Sequence, residues 1–179
     1  MDVILTLPQR QGKLIALAAA YHLICPGTEI NPNTFGNYEH GLTEVLASLN
    51  SALTSNSIKL KLTPFQVVKL NSAISSTIGR LKTYSLLHAE NIQAVNRIDE
   101  DKEFDRLLQE FFPLDNDPGD HTTDLAGELV MLHRSFLPHV RQARDILEKE
   151  REAYIANQGR YGKLSKLWNK VVDLISRLK

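Results

Sequence analysis

Apolar side chains recur along most of this chain at the spacing of an α-helix, so the pattern predicts a mostly helical protein. The first periodic segment covers about residues 7–24, where Pro8 suits the opening turn and apolar positions such as Leu17 continue the face. The second covers about residues 34–53, where leucines return every three or four positions. Both segments therefore read as amphipathic or buried helices.

The best-defined helix start lies at residue 64. Thr63 suits the N-cap, Pro64 suits the first helical position, and Gln66 suits the third residue of a capping box. The apolar period that follows predicts a long helix over about residues 64–96. At about 1.5 Å per residue, such a helix would be roughly 50 Å long.

Three further helices are predicted in the second half. A short amphipathic helix is expected at about residues 100–112, and a second long helix at about 122–156. The core stripe expected along this second long helix consists of Leu125, Leu129, Leu132, Phe136, Val140, Ala143, Leu147 and Tyr154. Pro138 lies inside the same helix, and because the apolar period resumes in register after it, we expect a kink rather than an end. Gly159 then suits a helix C-terminus, after which a last helix would span residues 160–179.

One short segment departs from the helical pattern. Residues 58–62 alternate between apolar and lysine side chains, which is typical of a strand, but no partner strand is evident and an extended connector is expected instead. The sequence thus predicts an all-α, single-domain helical bundle over residues 1–179. It would have about six helices, two of them long, and no significant sheet.

Length and composition agree with this picture and narrow the setting. The 179 residues suffice for one substantial core, and 42% hydrophobic with 23% charged residues is typical of a soluble globular chain. No apolar run approaches the ~20 residues of a membrane span, which argues against an integral membrane protein. The single cysteine, Cys25, suits the cytoplasm. A signal peptide is the rival interpretation of the apolar run after Lys13, but Tyr21 and His22 interrupt the run, and a buried first helix is expected instead.

The formal charge of zero hides two oppositely charged segments. Residues 160–179 hold six basic residues and one acid, for a net charge of +5, whereas residues 90–128 hold twelve acids and three bases, for a net charge of −9. Such asymmetry bears on partners and on association rates, although not on fold. It makes the basic helix at 160–179 the main candidate for recognition.

The basic helix combines a wide apolar face with a lysine flank. It can pack as the last helix of the bundle, or it can be a detachable element that docks on a protein groove, an anionic membrane surface or a phosphate backbone. Aromatic residues interleaved with glycine-rich loops, which single-strand binders use, are missing, and this argues against nucleic acid. The candidate partner-binding residues are Lys163, Lys166, Trp168, Lys170 and Arg177.

An alternative chemistry rests on three residues of the second long helix. His121, Asp124 and Glu128 are spaced i, i+3 and i+7, so that they share one sector of the helix surface and could supply half of a divalent-metal site. Carboxylates of residues 99–128 would then serve a metal-dependent all-α hydrolase. The competing interpretation is that the acids simply favour the positive end of the helix dipole.

No nucleophile elbow or phosphate-binding loop occurs in the sequence, and Cys25 has no identifiable base beside it. The sequence therefore favours a non-enzymatic interaction or adaptor protein without a cofactor. It would act through helix faces and segregated charge, with self-association through the long helices as one route. The metal-dependent hydrolase is the alternative, and peripheral membrane or nucleic-acid binding through residues 160–179 is the third hypothesis.

Overall fold

A computed structural model describes residues 2–24, 40–89, 99–113 and 118–176, with side chains for residues 2–24, 41–83, 102–113 and 122–156. These residues form five helices and two strands. In chain order they are β1 (Val3–Pro8), α1 (Gln9–Ile24), α2 (His40–Ala52), β2 (Ser57–Leu62), α3 (Pro64–Ala89), α4 (Asp99–Phe111) and α5 (Pro118–Ser176). The protein is mostly helical, as expected, but the prediction of six helices without a sheet was wrong in detail.

The two strands form an antiparallel sheet in which Val3 lies opposite Leu62 and Pro8 opposite Ser57. Residues 58–62 are therefore a strand and not the expected connector. Their partner precedes the first helix, and the sequence concealed it because the outward-facing Ile4 is apolar and masks the alternation. Pro8, expected in the first turn of a helix, is the last residue of this strand.

The inner face of the sheet is covered by α1, which is the most deeply buried helix among the described elements. Eight consecutive residues, Leu14–Tyr21, are buried, so that α1 has no solvent-facing side over this stretch. A helix that is apolar around its whole circumference must be enclosed by other elements. The sheet, α2, α3 and α4 all contact it.

The start of α3 forms as the sequence predicts. The Thr63 backbone N–H donates to Gln66 Oε1 at 2.9 Å, and the Gln66 backbone N–H donates to Thr63 Oγ1 at 3.2 Å. This reciprocal pair is the capping box. The Gln66 amide also donates to the Gly41 carbonyl at 3.1 Å, which ties the start of α3 to α2.

The other helix boundaries agree with the sequence except in the last third of the chain. The segments expected at 34–53, 64–96 and 100–112 are α2, α3 and α4, and residues 34–39 and 90–96 lie outside the described residues. Residues 122–156 and 160–176, expected as separate helices, both belong to α5. Gly159 does not end it, because a glycine inside a helix costs only about 1 kcal/mol relative to alanine.

The buried stripe of α5 matches the predicted one as far as residue 143. It consists of Leu125, Leu129, Leu132, Phe136, Val140 and Ala143, and α5 continues through Pro138. His133 Nε2 lies 2.9 Å from Asn71 Oδ1, which links α5 to α3. Tyr154, expected in the stripe, is 64% exposed.

The chain comprises two compact units, Met1–Ala143 and Arg144–Lys179. The first contains the sheet, α1 to α4 and the beginning of α5, and every buried hydrophobic residue of the described core belongs to it. The second contains the remainder of α5, including the segment 160–176. The buried hydrophobic residues from Val3 to Ala143 are therefore the core of the first unit.

Two aromatic rings join the end of α1 to α4. Tyr21 meets Phe104 edge to face, with ring centroids 4.9 Å apart, and the Arg80 guanidinium lies 5.5 Å from the centroid of Phe104. Next to this cluster, burial lowers the pKa of His22 below its ordinary value of 6.5, with a smaller contribution from the positive charge of Lys69. The neutral imidazole is therefore the form that folding favours.

We expect Gly12→Ala to destabilise the fold by about 1–3 kcal/mol, although alanine favours helices. A methyl group at residue 12 would overlap Cδ1 of Ile58, which is fully buried and cannot move aside freely. Urea unfolding measures the change. The matched control is Gly79→Ala, where a methyl group meets no atom within 4 Å, and it should stabilise by up to about 1 kcal/mol. Adding Ile58→Val to Gly12→Ala should recover part of the loss, and no recovery would contradict this explanation.

The low pKa of His22 also predicts a pH dependence of stability. Above pH 6.5 the histidine is neutral in both states, and as pH falls below that value the unfolded chain takes up a proton that the folded chain resists. The free energy of unfolding should therefore decrease with pH from 6.5 down to the lowered pKa. Urea unfolding at several pH values should show a shallower decrease in His22→Gln. Equal slopes in the two proteins would show that His22 is not the group responsible.

Candidate functional site

The structure describes only some of the residues that the sequence proposes for function. Asp124 and Glu128 are described with their side chains, whereas the side chain of His121 is outside the described set. The candidate partner-binding residues Lys163, Lys166, Trp168 and Lys170 lie in α5 without described side chains, and Arg177 lies outside the described residues. The site can therefore be built around Asp124 and Glu128.

Glu128 is held by Arg10 from the first turn of α1. The Arg10 Nε donates to Glu128 Oε2 and its Nη2 donates to Oε1, each at 2.6 Å. The hydrogen bonds from Arg10 to Glu128 raise the pKa of Arg10, as do the charges of Glu128 and Asp124, against the lowering effect of burial. This two-pronged pair fixes the beginning of α1 against α5. Nothing in the sequence around Arg10 marks it, because its partner is 118 positions away.

The same arginine lines one of two surface depressions and bonds Glu128, which lines the other. Its guanidinium lies 5.6 Å from the ring centroid of Phe112, a cation–π contact that holds it in place. The first is a small depression of about 260 Å³ between the first turns of α1 and the end of α4. It is lined by Gln9, Arg10, Lys13, Phe111, Phe112 and Pro113.

The second is a larger depression of about 580 Å³ between α1 and α5, which we call the α1–α5 groove. Its α1 wall is formed by Gln11 and Leu14. Its α5 wall is formed by Thr123, Asp124, Gly127, Glu128, Met131, Leu132 and Ser135.

Four of the α5 residues follow one another at intervals of four, so that they form a single stripe along the helix. They are Thr123, Gly127, Met131 and Ser135, all exposed, and a methyl group added at Gly127 would meet no atom within 4 Å. Met131 is the large apolar residue of the stripe, and it is 63% exposed. The stripe therefore consists of small residues, except for the flexible apolar side chain of Met131.

The groove carries negative charge. Asp124 and Glu128 are its ionisable lining residues, and Glu128 is already neutralised by Arg10. Within the described part of the chain, no salt bridge reaches Asp124, which is exposed at the rim. An incoming positive charge would therefore meet Asp124 first.

In this arrangement, Arg10 would compete with a metal ion for the carboxylate of Glu128. A cation bound by Glu128 would have to displace Arg10, which already engages both carboxylate oxygens. Among the described residues, no group of three or more histidine, cysteine, aspartate or glutamate side chains is placed to hold a metal ion. Because the side chain of His121 is not described, the site formed by His121, Asp124 and Glu128 stays a prediction.

A double-mutant cycle should measure how strongly Arg10 and Glu128 are coupled. Both side chains are more than one third exposed, so solvent screens the pair and we expect a coupling energy of only about 0.5–1 kcal/mol in Arg10→Ala, Glu128→Ala and the double variant. Urea unfolding at low salt is the measurement, and the coupling should shrink in molar salt. Arg106 and Glu110, an exposed i, i+4 pair at 3.6 Å, provide a matched pair that should couple more weakly. A coupling of zero would show that the Arg10 contact does not hold α1 to α5.

Among the described residues, no helix has both the length and the apolarity that crossing a membrane requires. Comparison of the chain with protein-family models, with curated proteins and with solved structures finds no match.

Proposed function

We propose that this protein is a non-enzymatic interaction or adaptor protein whose α1–α5 groove binds an amphipathic helix of a partner protein. The observation that supports the proposal best is the stripe of Thr123, Gly127, Met131 and Ser135, which lines an open depression of about 580 Å³. A cytoplasmic location, expected from the single cysteine, is part of the same proposal.

The dimensions of the stripe suit a helix better than a small molecule. From Thr123 to Ser135 it extends over about 18 Å, or roughly three helical turns. Small residues allow two helix axes to approach to the shorter end of the usual 8–10 Å separation. Met131 can adjust its rotamer to different apolar neighbours, as methionine does on surfaces that accept helices.

The charge of the rim favours a partner helix with basic residues beside its apolar face. Asp124 lies where such a residue would arrive, whereas the charge of Glu128 is already neutralised by Arg10. Exposed charges of this kind contribute little to affinity but increase the association rate and orient the incoming helix. Apolar contact with the exposed Met131 would supply most of the binding free energy.

Residues 160–179 show, at the level of sequence, what such a partner helix would look like. Lys163, Lys166 and Lys170 lie along one flank of an apolar face that includes Trp168, and the segment has a net charge of +5. A synthetic peptide of this sequence is therefore a suitable probe for the groove. In the full chain, we propose that these residues, with Arg177, form a second recognition element for an acidic partner surface.

The test is a titration of the fluorescein-labelled 160–179 peptide with the full-length chain, followed by fluorescence anisotropy. We expect saturable binding that Gly127→Gln weakens about tenfold or more, because the new side chain occupies the groove and about 1.4 kcal/mol of lost contact gives that factor. A peptide in which the three lysines Lys163, Lys166 and Lys170 are replaced by glutamine should associate more slowly.

The control variant is Gly79→Gln, which makes the same replacement at an exposed glycine of α3. Both variants should fold and should be at least as stable as the wild type, because glutamine favours helices over glycine and neither site is crowded. Binding should be unchanged in Gly79→Gln. Either a lack of saturable binding by the wild type or an equal loss in the two variants would refute the groove proposal.

A further inference from the structure

The second exposed feature of the first unit is the outer edge of β1. Gln9 N–H donates to the Asn56 carbonyl at 3.2 Å, one step beyond the Pro8 and Ser57 pair, and therefore continues the ladder between the strands. Because backbone groups alternate in direction along a strand, odd-numbered residues of β1 point their N–H and C=O groups toward β2. Ile4, Thr6 and Pro8 then point theirs away from it.

This parity explains the position of Pro8. Proline lacks an N–H group and is tolerated in a sheet only where the ladder does not need that donor. At residue 8 the missing donor falls on the outer edge. Apart from the hydrogen bonds within helices and between β1 and β2, no backbone hydrogen bond among the described residues involves Ile4 or Thr6.

The two edges of the sheet differ in their protection against further pairing. On β2 the outward-pointing residues include Lys59 and Lys61, and lysine on an edge strand is a common device that prevents association. The sequence of β1, VILTLP, contains no charge. Its outer face also leaves Ile4 56% exposed. The edge of β1 is thus the one that accepts another strand.

We propose that β1 pairs antiparallel with β1 of a second copy of this chain, so that the two sheets join into one of four strands in the order β2, β1, β1, β2. With the two-fold axis beside Leu5, Ile4 of each copy lies opposite Thr6 of the other. The outward N–H groups of Asp2, Ile4 and Thr6 then donate to the carbonyls of Pro8, Thr6 and Ile4 of the other copy. This gives about six backbone hydrogen bonds across the interface.

A second copy fits this edge because the pairing brings no like charges together. The contact places uncharged Ile4 and Thr6 side by side, which are a β-branched pair that packs well across strands. Pairing through β2 would instead bring Lys59 and Lys61 of the two copies against each other, and like charges on adjacent strands are destabilising. The β1 edge is self-complementary in the way that a two-fold interface requires.

The test is sedimentation equilibrium of the full-length chain from micromolar to millimolar concentration, with Thr6→Pro as the disrupting variant. Proline at residue 6 removes an outward N–H from each copy and leaves the ladder to β2 intact. Two lost hydrogen bonds of about 1.4 kcal/mol each should raise the dimer dissociation constant about a hundredfold. The matched control is Lys59→Pro, which makes the same change on the opposite edge at the residue paired with Thr6, and it should leave the dimer intact.

A second variant keeps the test valid if Thr6→Pro does not fold. Ile4→Lys removes no hydrogen-bonding group from the backbone but places a charge on the outer face, and it should also weaken the dimer. Circular dichroism would establish that each variant is folded. A wild type that stays monomeric over the whole range, or a dimer that all three variants weaken equally, would overturn the proposal. Gly127→Gln should leave the dimer unchanged, so the result is independent of the groove.

Discussion

The structure depends on the enclosure of α1. Eight consecutive residues of this helix are buried, so it has no polar side that could face water between Leu14 and Tyr21. Such a helix is stable only when other elements remove its whole circumference from solvent, since the burial of apolar area is the main favourable term in folding. The two-stranded sheet, α2, α3 and α4 supply that cover.

The tightness of this enclosure explains features that seem unrelated in the sequence. Gly12 lets α1 approach β2 closely enough that Ile58 occupies the space where a side chain would be. At the beginning of α1, where the helix reaches the surface, Arg10 bonds both oxygens of Glu128 and stacks over Phe112. One residue therefore contacts both α5 and the residue that follows α4, and it also lines one of the two surface depressions.

Elements that bury one side in the core of the first unit present their other side to solvent, and these outer sides carry the candidate interaction surfaces. The stripe of α5 through Gly127 and Met131 lies beside the buried stripe through Leu125 and Leu129. The outer face of β1 alternates with Val3, Leu5 and Leu7, which face the core. Both surfaces are thus by-products of the same core, and they differ in what they can bind because one offers side chains and the other offers backbone groups.

Several parts of the fold were readable from the sequence because their signals are local. The capping box at Thr63 and Gln66 joins residues three positions apart, and the period of Leu125, Leu129 and Leu132 belongs to one helix. In contrast, the strand Val3–Pro8 was missed because its outward Ile4 is apolar, and the residues it pairs with lie 49 to 59 positions away. The end expected at Gly159 was wrong because a glycine weakens a helix without forcing it to stop.

The candidate site likewise has features that the sequence identified and features that only the structure revealed. The acidic residues Asp124 and Glu128 were identified from their spacing on one helix, which a sequence can show. The sequence by itself determined the helical class, the segregation of charge and the strong burial of the first helix, since all three follow from composition and period. Only the tertiary structure decided that Arg10 occupies Glu128, that β1 completes a sheet with β2 and that the stripe through Gly127 stays open. Each of these depends on residues far apart in the chain, whose approach is set by the packing of the whole core.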